Sequence, residues 1–203
     1  MAAKPRNKIG KTALAISGTA ALTLSVLTAG VASAHGYVDQ PPSRQILCAN
    51  GEVDNCGAIQ WEPQSVEGPG GFPESGPAEG ELCSGGNARF SELDDPRGGD
   101  WPTENIGRSV TIEWTNTARH ATANWRYYVT KPGVDLGGHA LKRSDFQLDP
   151  FLTVDGHGEQ PPATVTHQGQ LPAGTHGKQV ILGVWEVADT ANAFYSCMDV
   201  NVN

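Results

Sequence analysis

The chain has 203 residues, with 14 Lys and Arg against 22 Asp and Glu, a formal charge of −8. Four of the cations (Lys4, Arg6, Lys8, Lys11) precede residue 35 in a segment without an acid, so residues 35–203 set ten cations against 22 acids, −12. Such a charge argues against nucleic acid and against a membrane surface as partners, and leaves room for a neutral or cationic polymer.

The start pairs that basic stretch with a mostly apolar run, Thr12 to Val31, and the small residues Ala32-Ser33-Ala34. This is the pattern of a secretory signal peptide over residues 1–34. A membrane anchor needs about 20 apolar residues, and Thr19, Thr23, Ser25, Thr28 and Gly30 dilute this run. Residues 35–203 remain as a single secreted, extracellular domain, long enough to bury a core. Its four cysteines, Cys48, Cys56, Cys83 and Cys197, allow three disulfide pairings. The favoured one closes Cys48–Cys56 as a short local loop and ties an early loop to the last strand through Cys83–Cys197. No Cys-x-x-Cys pair points to zinc.

Between Pro41 and Pro102 the chain is rich in Gly, Pro, Ser and Glu, as in Glu67-Gly68-Pro69-Gly70-Gly71. So long an irregular stretch is commonly functional, and the cysteines within it argue for order. Short helices fit near Ser43–Leu47 and Ala88–Leu93. Strand signals then follow: Val110–Trp114 alternates, Trp125–Thr130 is aromatic and β-branched, Val180–Val187 is apolar, and Phe194–Val202 alternates again. The expected fold is all-β, an immunoglobulin- or fibronectin-III-like antiparallel β-sandwich with a large loop insertion containing short helices. Trp114, Trp125 and Trp185 belong to strand-like runs and are expected in the core. His139, His157, His167 and His176 lie in loop-like contexts and read as surface or structural.

Cleavage after Ala34 would leave His35 first. An N-terminal histidine offers two nitrogens, its ring and an α-amine of pKa about 7.7–8.0 that can lose its proton near neutrality. With a third nitrogen from another imidazole, the set would suit one copper ion, since planar nitrogen ligands favour Cu(II). Taken without its neighbours, His120 fits a satisfied core histidine beside a strand better than it fits a ligand.

The motifs decide between these. His35-Gly36-Tyr37-Val38, Trp61-Glu62-Pro63-Gln64-Ser65-Val66-Glu67-Gly68, Thr117-Ala118-Arg119-His120 with Trp125-Arg126-Tyr127, and Asp189-Thr190-Ala191-Asn192-Ala193-Phe194-Tyr195 stand in this order. Together they resemble the bacterial lytic polysaccharide monooxygenases of auxiliary activity family ten, once called chitin-binding proteins. The resemblance covers residues 35–203. It implies a histidine brace holding one copper (Cu(II)/Cu(I)) through the amine and ring of His35 and the ring of His120. It implies Phe194 beside one axial position, Ala118 restricting the other, and Glu67 as an acid near bound oxygen species. It places Trp61, Glu62, Pro63, Asp189 and Asn192 on a flat surface that meets the polymer, where an exposed Trp offers a sugar an apolar platform. The implied activity is oxidative cleavage of crystalline chitin by C1 oxidation, giving aldonic-acid ends, in a monomer fed by an external electron donor and using O2 or H2O2. Cellulose is the runner-up substrate; a non-catalytic chitin binder and a secreted copper carrier are the rival functions. One departure stands out: many relatives carry a second disulfide near the segment that here reads Thr166-His167-Gln168-Gly169, without cysteine.

Overall fold

The computed structural model describes residues 1–3 and 35–203. The remainder of the expected signal peptide, 4–34, lies outside the described residues. The chain divides into two compact units, Met1–Val31 and Ala32–Asn203; of the first, only residues 1–3 are described, and they form no regular element. Among the described residues no helix is long and apolar enough to cross a membrane.

The second unit is built of two sheets. One holds β1 (His35–Gln40), β4 (Ser109–Ala118) and β7 (Thr164–Gln170) in the order β1-β4-β7. The other runs β2-β9-β8-β5-β6, from β2 (Glu67–Pro69), β9 (Asn192–Val202), β8 (Gly177–Val187), β5 (Thr122–Val129) and β6 (Leu152–Glu159). These pairings are antiparallel, as expected of the sandwich. The difference is β3 (Glu104–Ile106), which pairs with β9 in parallel. A parallel pair needs a long connection, and the chain between β3 and β9 is long.

Val110–Trp114 falls inside β4, and Trp125–Thr130, Val180–Val187 and Phe194–Val202 overlap β5, β8 and β9. The apolar run of β8 has a physical cause: the strand is covered on both faces. Ile181, Trp185 and Val187 join the core between the sheets, with Trp114, Trp125, Tyr127, Phe194 and Met198. Val180, Leu182 and Val184 join a second core beneath the insertion, with Leu47, Ile59, Val66, Phe72, Phe90 and Trp101. With no wet face, the polar half of the usual alternation disappears.

The Pro41–Pro102 stretch is therefore an ordered cap. It carries α1 (Arg44–Ala49) and short 3-10 helices at Gly57–Trp61, Pro63–Ser65, Ala88–Leu93 and Arg97–Gly99. A six-residue helix has little stability alone, and α1 is held by its partners. Ser43 Oγ donates back to Val38 O of β1 at 2.7 Å. Gln45 donates to Tyr195 O and Ser196 Oγ of β9. Buried Arg44 grips Asp199 with two bonds of 2.7 and 3.0 Å, donates to Leu93 O, and lies over the Trp101 ring. Disulfides join Cys48 to Cys56 and Cys83 to Cys197. On the chain-entropy model the second, closing 114 residues, contributes about 5 kcal/mol and the short loop about 2.5.

Candidate metal centre

One end of the sandwich gathers the sequence motifs. β1 opens there at His35, which pairs with Ala118 at the end of β4. Arg119-His120-Ala121 then turns the chain into β5. The β6–β7 turn braces this corner: Gln160 Nε2 donates to Arg119 O at 2.7 Å, and Asn116 Nδ2 to Pro162 O at 3.0 Å. Ala188 N donates to Ala121 O at 2.7 Å, drawing in the loop after β8.

That loop supplies Asp189. His120 is 7% exposed, and its Nδ1 lies 3.2 Å from Asp189 Oδ1. The carboxylate accepts from Nδ1–H, which fixes the ring and directs the Nε2 lone pair away from Asp189. Asp189 itself remains 56% exposed. His120 is thus a partnered, nearly buried ring whose second nitrogen suits a ligand role.

Trp185 ties the two histidine segments together, a role its strand-like context did not reveal. Its Nε1 donates to Thr122 Oγ1 at 2.8 Å, and Thr122 Oγ1 donates on to His120 O at 3.2 Å. Its ring meets Phe194 at 5.1 Å between centroids and stacks on Trp125 at 6.4 Å. The backbone beside His35 presses on the same ring: a Cβ on Gly36 would come within 3.0 Å of Trp185 and 3.1 Å of Asn116 Oδ1. Gly36 is the residue that lets the start of β1 lie this close. The packing roles of Thr122, Gly36 and Asn116 could not be read from the sequence, because their partners are remote in the chain.

Phe194 is fully buried and pairs with Glu67 across β9 and β2. Glu67 Oε1 accepts from Asn192 Nδ2 at 2.8 Å. A Cβ on Gly68 would overlap Gly85 O at 1.8 Å, so glycine here sets how deeply Glu67's strand sits. Trp61 ends its 3-10 helix 80% exposed, and Pro63 begins the next, which packs against β1. Glu62, between them, is ion-paired to Arg89. The structure therefore places His35, Ala118, His120, Asp189, Asn192, Phe194 and Glu67 at one end of the strands, and joins Trp61, Glu62 and Pro63 to it through β1.

The other histidines have local partners. His139 pairs with Asp145 at 3.0 Å and His157 with Asp155 at 3.5 Å, while His176 bonds Gly174 O. His167 is buried. Trp114 Nε1 donates to Tyr127 Oη, whose own proton points to His167 Nδ1 at 2.6 Å. Burial pushes the His167 pKa down to about 4 and the Tyr127 phenol well up.

The donor set can be tested against a metal. Among the described residues no three His, Cys, Asp or Glu side chains converge as a metal site. A brace asks for less: two imidazoles and one main-chain amine. In the full sequence the His35 nitrogen is an amide joined to Ala34, so that third donor exists only after cleavage. The ring set by Asp189 and the strand start beside Ala118 fit such a set.

The chain is similar to several known proteins. The family model described as "Lytic polysaccharide mono-oxygenase, cellulose-degrading" matches residues 35–200. GlcNAc-binding protein A of Shewanella oneidensis is 50% identical over 90% of this chain, which spans only 39% of that longer protein. A Streptomyces ambofaciens protein named lytic chitin monooxygenase is 46% identical, with 95% of this chain and 96% of that one covered. Among solved structures, an AA10 lytic polysaccharide monooxygenase from Streptomyces lividans is 57% identical with a TM-score of 0.79, covering 82% of this chain and 99% of that one. A Bacillus amyloliquefaciens CBM33 in complex with Cu(I) is 36% identical with a TM-score of 0.76, covering 83% of this chain and all of its own. A match running across nearly the whole described unit, on a frame that sets His35 at the corner carrying His120, makes this chain a member of the AA10 lytic polysaccharide monooxygenase family.

Proposed function

We propose that the protein is secreted, that cleavage before His35 frees its amine, and that one copper ion is then held by that amine, the His35 ring and His120 Nε2. The observation that carries this is the corner where β1 starts beside Ala118 and buried His120 is oriented by Asp189. Bound there, copper would supply one-electron chemistry between Cu(II) and Cu(I), fed by an external donor and by O2 or H2O2. The chain's own residues do the rest. Asp189 holds the His120 ring, Phe194 and Ala118 would lie beside the held metal, and Asn192 fixes the Glu67 carboxylate. Trp61, 80% exposed, stacks on a sugar ring, and Glu62, Pro63, Asp189 and Asn192 complete the contact surface. A surface site suits a crystalline chain that cannot thread into a deep pocket.

The substrate is chitin and the oxidised carbon is C1. The name of the Streptomyces ambofaciens relative supports chitin, whereas the family description mentions cellulose. Mass spectrometry of soluble products from each polymer, using copper-loaded protein beginning at His35 and ascorbate, tests both points. Aldonic-acid chito-oligosaccharides from chitin are expected. The same increment from cellulose alone would change the substrate. Copper-loaded protein silent on both would leave a binder or a carrier.

A further inference from the structure

Arg89 shares the surface of Trp61, and no motif assigned it a role. Its 3-10 helix, Ala88–Leu93, packs against the helix that ends in Trp61. Asn87 caps that helix by accepting from Arg89 N at 3.1 Å. The packing sets the Arg89 guanidinium against Glu62, with Nη2 donating to Oε1. Exposure separates the partners: Arg89 is 64% exposed and Glu62 only 27%. A guanidinium carries five N–H donors in a rigid plane and no acceptor. One donor is committed to Glu62. The others have no partner among the described residues.

Chitin and cellulose differ at one group per sugar. Chitin has an acetamide, whose carbonyl oxygen is a pure acceptor; cellulose has a hydroxyl there, which donates as well as accepts. A donor-only cation, held in place by one ion pair, matches the carbonyl better, because charge-assisted bonds to a fixed planar fork are strong and geometrically selective. We infer that Arg89 is a specificity-determining residue that donates to acetamide carbonyl oxygens of chitin, with Glu62 anchoring its guanidinium on the contact face. The inference rests on the polysaccharide reading above and goes beyond it in naming what distinguishes the two polymers.

Adsorption isotherms of protein beginning at His35, on chitin and on cellulose, test it. Arg89→Ala should weaken chitin binding by about tenfold, the loss of one charge-assisted bond, and leave cellulose binding unchanged. Arg89→Lys, which keeps a donor without the fork, should recover part of the loss. In a Glu62→Gln background, which weakens the anchor, Arg89→Ala should cost less chitin binding than it does beside an intact Glu62. Unchanged chitin binding, an equal loss on both polymers, or a loss undiminished in the Glu62→Gln background would each overturn the inference. Wild-type protein adsorbing to neither polymer would instead overturn the polysaccharide reading beneath it. Urea midpoints report folding; should Arg89→Ala be destabilised, the Arg89→Lys chitin-to-cellulose ratio decides.

Discussion

Asp189 acts on His120 through one contact, Oδ1 to Nδ1 at 3.2 Å. Carboxylates of this kind orient a ligand ring and raise its basicity. Asp189→Ala is therefore expected to weaken copper binding by about 10- to 100-fold in a chelator competition; unchanged affinity would remove Asp189 from the site. His167 gives a pH dependence of different origin. Burial holds it neutral, with its pKa moved from 6.5 to about 4. Between those values the unfolded chain takes up a proton that the native chain refuses, so stability falls as pH drops through that window and rises as pH climbs back. His167→Gln should flatten urea-unfolding stability between pH 6.5 and 4, and an unaltered slope would contradict the buried neutral ring. The two proposed ligands were legible in sequence because each sits in a motif: His35 after a cleavage pattern, His120 in Thr117-Ala118-Arg119-His120. Trp185 and Arg89 were not. Their partners, Thr122 and Glu62, lie 63 and 27 residues away, and no local periodicity encodes such a contact.

The elements carry the insertion onto the sheet. Arg44 and Asp199 are 2% and 7% exposed, so removing one leaves a buried charge without its partner. Arg44→Ala should cost about 3–5 kcal/mol in urea unfolding; a loss under about 1 kcal/mol, the scale of an exposed pair, would show that water reaches Asp199. Removing both charges together with apolar replacements should recover much of that loss. Strand legibility followed burial. β8 and β9 are nearly covered and read clearly, whereas β6, an edge strand with burial on few positions, gives almost no apolar pattern. β7 is obscured differently, because two of its inward positions are His167 and Gly169. The helices near Ser43–Leu47 and Ala88–Leu93 were readable as short elements, but only packing set the first as α-helix and the second as 3-10.

The whole molecule explains why a surface site can be rigid. The second sheet lies between the first sheet and the insertion, so two cores fix the strands whose ends build the corner. His35, Ala118, Thr122, Val187 and Asn192 are the first or last residues of five different strands, and the sandwich delivers all five to one end. The proposed contact face needs no pocket, and Trp61 is presented to solvent. The fold class followed from strand signals, turns and cysteines. The grouping of the site did not, because it depends on which strands neighbour each other. In the proposed brace the third nitrogen comes from a freed His35 amine. Calorimetric titration of Cu(II) into protein beginning at His35, beside protein with one extra residue before it, tests this most directly. Tight one-to-one binding by the first and loss of most affinity by the second is the predicted result; equal affinity in both would contradict the claim.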